Sequence, residues 1–172
     1  MQGAHNSQST ALWAAPWLPA TSKFKEKNMP LKITKISKKE IALIQIKAAA
    51  RHYKKKDYVS CITLAGAAEE ILGRIAKKRR GFNQQDNDID YTKSIFHYFK
   101  KDIPKTKSLI TNRNTTKNEL KHNDIGENLI IEADLENEAV TFFVAALKNY
   151  FDASEEWPND KITIDLFEFL TL

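Results

Sequence analysis

The chain predicts an all-α fold, a single antiparallel bundle of about five to six helices. Three observations predict it. Apolar residues recur at three- and four-residue intervals along most of the length, which is the period of a helix face rather than of a strand. Start and stop residues bracket those stretches: Ser37 stands three before Glu40, and Gly81 follows a run of cations. No segment recurs at a fixed interval, which removes a repeat solenoid. At 172 residues the length suits one domain that buries its core without staples.

Residues 1–29 differ in composition from the rest of the chain. They are rich in Ser, Ala, Trp and Pro, and their first cation is Lys23. Pro16 and Pro19 interrupt the apolar stretch and no basic residue precedes it, so the segment does not fit a signal peptide. It is read as a disordered tail, or as upstream sequence ahead of a start at Met29, in front of a domain spanning residues 30–172.

The Ser37–Glu40 capping box opens a helix over Lys38–Lys55, with Ile41, Ile44 and Ala48 on one stripe and Leu43, Ile46 and Ala50 on a second. The next helix covers Tyr58–Arg79, with Cys61, Leu64, Ala65, Ala68, Leu72 and Ile75 at helical spacing. Gly66 in its interior costs roughly 1 kcal/mol relative to Ala, which predicts a close helix–helix approach there. Phe82–Asp90 reads as a polar, acidic loop, and Tyr91–Lys101 as a helix with Ile95, Phe96 and Phe99 inward. Pro104 ends that unit, and a polar helix follows over Lys105–Asn123. Asn123–Glu127 reads as a turn and Leu129–Ile131 as an extended piece. Asp134 caps a helix over Leu135–Asp152, whose stripe of Ala139, Phe142, Phe143, Ala146 and Tyr150 marks it as the central core helix. Trp157-Pro158 breaks it, and Ile162–Leu172 reads as a short terminal helix.

Much chemistry is excluded. The one cysteine, Cys61, rules out an internal disulfide framework and a cysteine-rich zinc site, which points to a reducing, cytoplasmic setting; on an apolar face it reads as core, not nucleophile. No apolar run approaches the ~20 residues of a membrane span. The five glycines build no phosphate loop and the four histidines lack metal-ligand spacing, so no metal or cofactor is expected. Charge is unevenly spread: 22 Lys+Arg against 10 Asp+Glu over residues 31–125, or +12, then 2 against 11 over residues 126–172, or −9. Such a chain neutralises itself within the fold, pairs head to tail, or binds a polyanion. The run Lys77, Lys78, Arg79 and Arg80 reads either as a solvated helix end that suits the dipole or as a phosphate-contacting patch. Glu69 and Glu70 read as structural partners for a cation.

The polar helix carries the candidate site. Residues four apart share a face, so Asn114, Asn118 and His122 form one column and Arg113, Lys117 and Lys121 the next. His122 at the helix end either caps it, bonds Asp124, or serves as an acid–base group. The stretch Lys117-Asn118-x-x-x-His122 resembles the Arg-Asn-x-x-x-His form of the motif of HEPN domains, and Asp57–Leu72 resembles their early helix. The resemblance implies a dimeric α-helical domain of toxin–antitoxin, defence or RNA-processing systems, acting without metal as an endoribonuclease. It implies that His122 is the general acid or base, Lys117 the phosphate-steadying cation and Asn118 an orienting amide; from charge and spacing, Arg113, Asn114, Lys121, Lys77, Lys78, Arg79 and Arg80 are the residues expected along the RNA. It further implies a homodimer joined across the motif helices, with RNA, an antitoxin or another protein as partner. Lys117 stands where the motif has Arg, and an ammonium lacks the forked geometry of a guanidinium. A silent module using the same cleft to dock a protein or nucleotide, and a plain helical interaction protein, therefore stand beside the ribonuclease reading.

Overall fold

Local capping sets most helix ends. The computed structural model describes residues 33–121 and 130–171, and six helices with no strand make up their regular structure. The all-α bundle expected from periodicity is the fold observed. The tail of residues 1–29, His122, and the turn at Asn123–Glu127 lie outside the described residues, as does Leu129.

α1 (Lys38–Lys54) opens on the expected capping box: the Ser37 N–H donates to Glu40 Oε2 at 2.8 Å and the Glu40 N–H to Ser37 Oγ at 3.1 Å. α2 (Tyr58–Arg80) is capped by Asp57, which accepts from the Ser60 N–H at 3.2 Å. It stops at Gly81, whose φ of 85° is a left-handed conformation that suits glycine. α3 (Gln84–Tyr98) follows at once. The stretch Phe82–Asp90 is thus mostly helix, not the expected loop, because Asn83 and Asp86 form a second capping box. α4 (Thr106–Lys121) begins after Pro104. α5 (Leu135–Ser154) starts at Asp134, which accepts from the Asn137 N–H at 3.1 Å. Ile130 and Ile131 before it lie in an exposed irregular stretch. α6 (Lys161–Thr171) is the short terminal helix, with Asp160 accepting from the Thr163 N–H.

α2 packs along both α5 and α1, and α6 lies against α1. The core combines Ala42, Ile46, Ala49 and Ala50 of α1 with Cys61, Ile62, Ala65, Ala68 and Leu72 of α2. From α5 come Ala139, Phe142, Phe143, Ala146, Leu147 and Tyr150, which bears out α5 as a core helix. Cys61 is fully buried, and that burial pushes its thiol up to about 12, so it is a packing residue.

Two stripes turn out otherwise. On α1 a single face is buried, spaced 42, 46, 49 and 50, and Ile44 points away from it at 58 % exposure. On α3 the inward residues are Ile89, which is buried, and Phe96, half-buried; Ile95 and Phe99 face outward. α3 carries apolar residues on two opposite sides, and only the Ile89–Phe96 side meets the rest of the bundle.

Candidate functional site

α4 lacks the apolar area that anchors an ordinary helix: Leu109 is its one buried large hydrophobic side chain. It is held instead by charge. The column of Arg113, Lys117 and Lys121 turns inward toward α2, and each cation meets a carboxylate. Arg113 donates from Nε to Asp88 Oδ2 at 2.9 Å and from Nη1 to Glu69 Oε1 at 3.4 Å. Lys117 Nζ lies 3.4 Å from Glu69 Oε2 and 3.0 Å from Glu70 Oε1. Lys121 Nζ reaches Glu70 Oε1 at 3.2 Å. Three cations thus balance Glu69, Glu70 and Asp88 in a seam where α4 meets α2 and α3.

The seam is buried at its centre. Lys117 is 2 % exposed and Glu69 3 %. Below them lies the fully buried Phe142 ring, with Lys117 Nζ at 5.2 Å and Arg113 Cζ at 5.4 Å from its centroid, inside cation–π range. Burial alone would raise the Glu70 carboxyl, but the ammonium groups of Lys117 and Lys121 outweigh it and hold the group below the ordinary glutamate range. A second polar thread runs beneath. Asn149 of α5 is fully buried, accepts from the Gln84 N–H at 2.8 Å and donates to the Glu69 carbonyl at 3.4 Å. It ties the start of α3 to the middle of α2.

Gly66 explains how a lysine fits here. A Cβ at that position would stand 2.5 Å from Lys117 Cδ and 2.9 Å from Cγ. The close approach expected at Gly66 is therefore made by the lysine stem, which crosses α2 where the side chain is missing. Gly66→Ala should gain up to about 1 kcal/mol of helix propensity, yet lose more by displacing a stem whose head is pinned, for a net destabilisation of about 1–2 kcal/mol. Lys117→Ala made in the same background should recover part of that loss, with a coupling of about 0.5–3 kcal/mol in a double-mutant cycle followed by urea unfolding. A stabilised Gly66→Ala protein would show that the stem yields freely.

The site residues named from sequence are thereby separated. Arg113 and Lys117 are inside the seam, and Lys121, which is exposed, lies at its edge beside Glu70. Asn114 is buried too, donating to Gln85 Oε1 at 3.2 Å. Asn118 is exposed, and His122 lies outside the described residues. Every exposed residue of α4 is polar or charged, and Ile110 and Leu120 are half-buried. In the tetrabasic run, Lys77 pairs with Asp86 at 3.0 Å, Arg79 with Glu155 and Arg80 with Asp152; Lys78 is exposed with no ion pair among the described residues. The basic body and acidic end thus neutralise each other at Arg79 and Arg80.

The residues missed from sequence are Asp88, Phe142 and Asn149, which complete the seam around the expected Glu69 and Glu70. Asn149 carries a legible signal, since it falls on the buried stripe of α5 between Ala146 and Tyr150. So does Glu69, spaced with Ala65, Leu72 and Ala76 on the buried face of α2. A polar residue on such a face calls for a buried partner. None of the described helices is long and apolar enough to cross a membrane. Comparison of the chain with protein-family models, with curated proteins and with solved structures finds no match.

Proposed function

We propose that the chain is a catalytically silent, HEPN-like interaction module, a helical bundle that binds a protein partner and does not cleave RNA. One observation carries the reading: Lys117, the cation that the motif would place on the transition-state phosphate, is 2 % exposed and lies between Glu69 and Glu70. A phosphate could reach its ammonium only by displacing two carboxylates and entering the seam between α2 and α4. Truncating one partner of a buried pair is costly, so the seam favours staying closed. Five of the six cations that an RNA path would use (Arg113, Lys121, Lys77, Arg79 and Arg80) already hold a carboxylate, which lowers their pull on a polyanion and favours a protein partner.

Incubation with total RNA, with and without magnesium, tests this. Wild type, His122→Ala and Lys117→Arg should all leave RNA intact, because restoring a guanidinium inside a closed seam does not bring it to the surface. RNA retention should be weak and vary little with salt. Cleavage by wild type that vanishes in His122→Ala would overturn the reading. Silent binding that falls steeply with salt, as counterion release requires, would keep the silence and make RNA the partner.

A further inference from the structure

A cleft of about 450 Å³ lies between the α1–α2 turn, the start of α5 and α6, within the size range of small-ligand sites. Tyr53 and Tyr58 line one side, with ring centroids 5.4 Å apart and planes tilted by 60°. From α6 come Leu166, which is buried, and Phe169, whose ring is 75 % exposed. Four charged side chains complete the lining: Lys54, Lys56, Glu136 and Asp165. The backbone sets two of them firmly. Glu136 stands in the first turn of α5, where the helix dipole suits a carboxylate. Lys56 holds a left-handed φ of 60°, costly for a residue with a side chain, and its N–H donates to the Tyr53 carbonyl at 2.8 Å.

Opposite charges meet in the α2–α4 seam, but not here. All four charged residues of the cleft are exposed, and none of them forms an ion pair among the described residues. Glu136 accepts only from a neutral group, the Tyr53 hydroxyl at 3.4 Å. Partial burial and the Glu136 charge push both phenols up from their ordinary value, so the two rings stay neutral. Their faces therefore remain attractive to a cation.

This set of groups selects its occupant. An anion alone would face Glu136 and Asp165, and a cation alone would face Lys54 and Lys56. A neutral apolar molecule would strip water from all four and return no partner. A molecule that carries both signs and an apolar part satisfies every group.

We infer that this cleft binds a small zwitterion, with its ammonium against Tyr53 and Tyr58 and toward Glu136 and Asp165, its anionic group on Lys54 and Lys56, and its apolar part on Phe169. An α-amino acid with an apolar side chain has this chemistry, and so does a phosphocholine headgroup. The inference uses no residue of the seam and holds whatever macromolecule the module binds.

Isothermal titration calorimetry of the full chain with L-phenylalanine and, separately, with phosphocholine tests it. At least one should bind with a Kd of about 1 mM or tighter, and which one does so tells an amino acid from a headgroup. Analogues that keep one charge should bind about tenfold more weakly or worse, since each loses a charge-assisted contact. For L-phenylalanine these are phenethylamine and N-acetyl-L-phenylalanine; for phosphocholine they are choline and inorganic phosphate. Glu136→Gln should weaken the zwitterion about tenfold, and Lys54→Gln combined with Lys56→Gln by a similar factor, with unchanged melting midpoints because these residues are exposed. The inference is overturned if neither zwitterion binds up to about 10 mM. An analogue of single charge that binds as tightly as its parent overturns it too. So does binding indifferent to both sets of substitutions, since the zwitterion would then be held elsewhere.

Discussion

Glu69→Ala is expected to destabilise the protein by about 3–5 kcal/mol, the cost of removing one member of a buried ion pair. Glu69 meets Arg113 and Lys117 together, so its loss leaves two buried cations sharing what Glu70 and Asp88 can supply. Lys117 is worse placed, because Glu70 lies toward solvent with a side chain 44 % exposed. Glu69→Gln should cost less, since the amide oxygen still accepts from one donor. The denaturant midpoint of the two variants checks this, and a Glu69→Ala protein within about 1 kcal/mol of wild type would mean that water or rearrangement readily replaces the carboxylate.

Phe142→Ala is the second large effect, at about 3–5 kcal/mol for emptying a fully buried aromatic site. The position is unusual because its ring serves two layers. It belongs to the apolar core, and the cationic groups of Arg113 and Lys117 lie within cation–π range of it. Phe142→Leu separates these contributions: it keeps most of the volume while removing the π face, and should cost about 1–2 kcal/mol. If Phe142→Leu proves neutral under chemical denaturation, the cations rest on their carboxylates alone.

The features legible in the sequence were the local ones. Ser37, Gly81 and Asp134 each act within one helical turn, so the chemistry that makes them caps is visible in a few neighbouring letters. The face of α3 was not legible, for a physical reason. Ile89 and Phe96 share one side at helical spacing, and Tyr91, Ile95 and Tyr98 share the other. Periodicity reports that a stripe exists, not which stripe turns inward. The capping box at Asn83 and Asp86 was within reach of the same local logic, but its acidic residues also suit a loop.

At the candidate site the difficulty was distance along the chain. Lys117 and its partner Glu69 are 48 residues apart, and Arg113 and Asp88 are 25 apart. A lysine in a polar helix is ordinarily at the surface, and nothing near it in sequence says otherwise. Gly66 did register that something passes close to α2. What passes is a side chain, and the difference between a helix and a lysine stem is set only by tertiary packing.

The seam also gives the molecule two kinds of cohesion that respond unequally to heat. α1, α2 and α5 adhere through apolar contact, which weakens on cooling and gains little on warming near its plateau. α4 adheres through desolvated charges, and the penalty for stripping water from charges falls as temperature rises. Warming therefore shifts the balance of cohesion toward the attachment of α4. A helix with one buried large apolar side chain is thus fastened by the interaction that loses least in the heat.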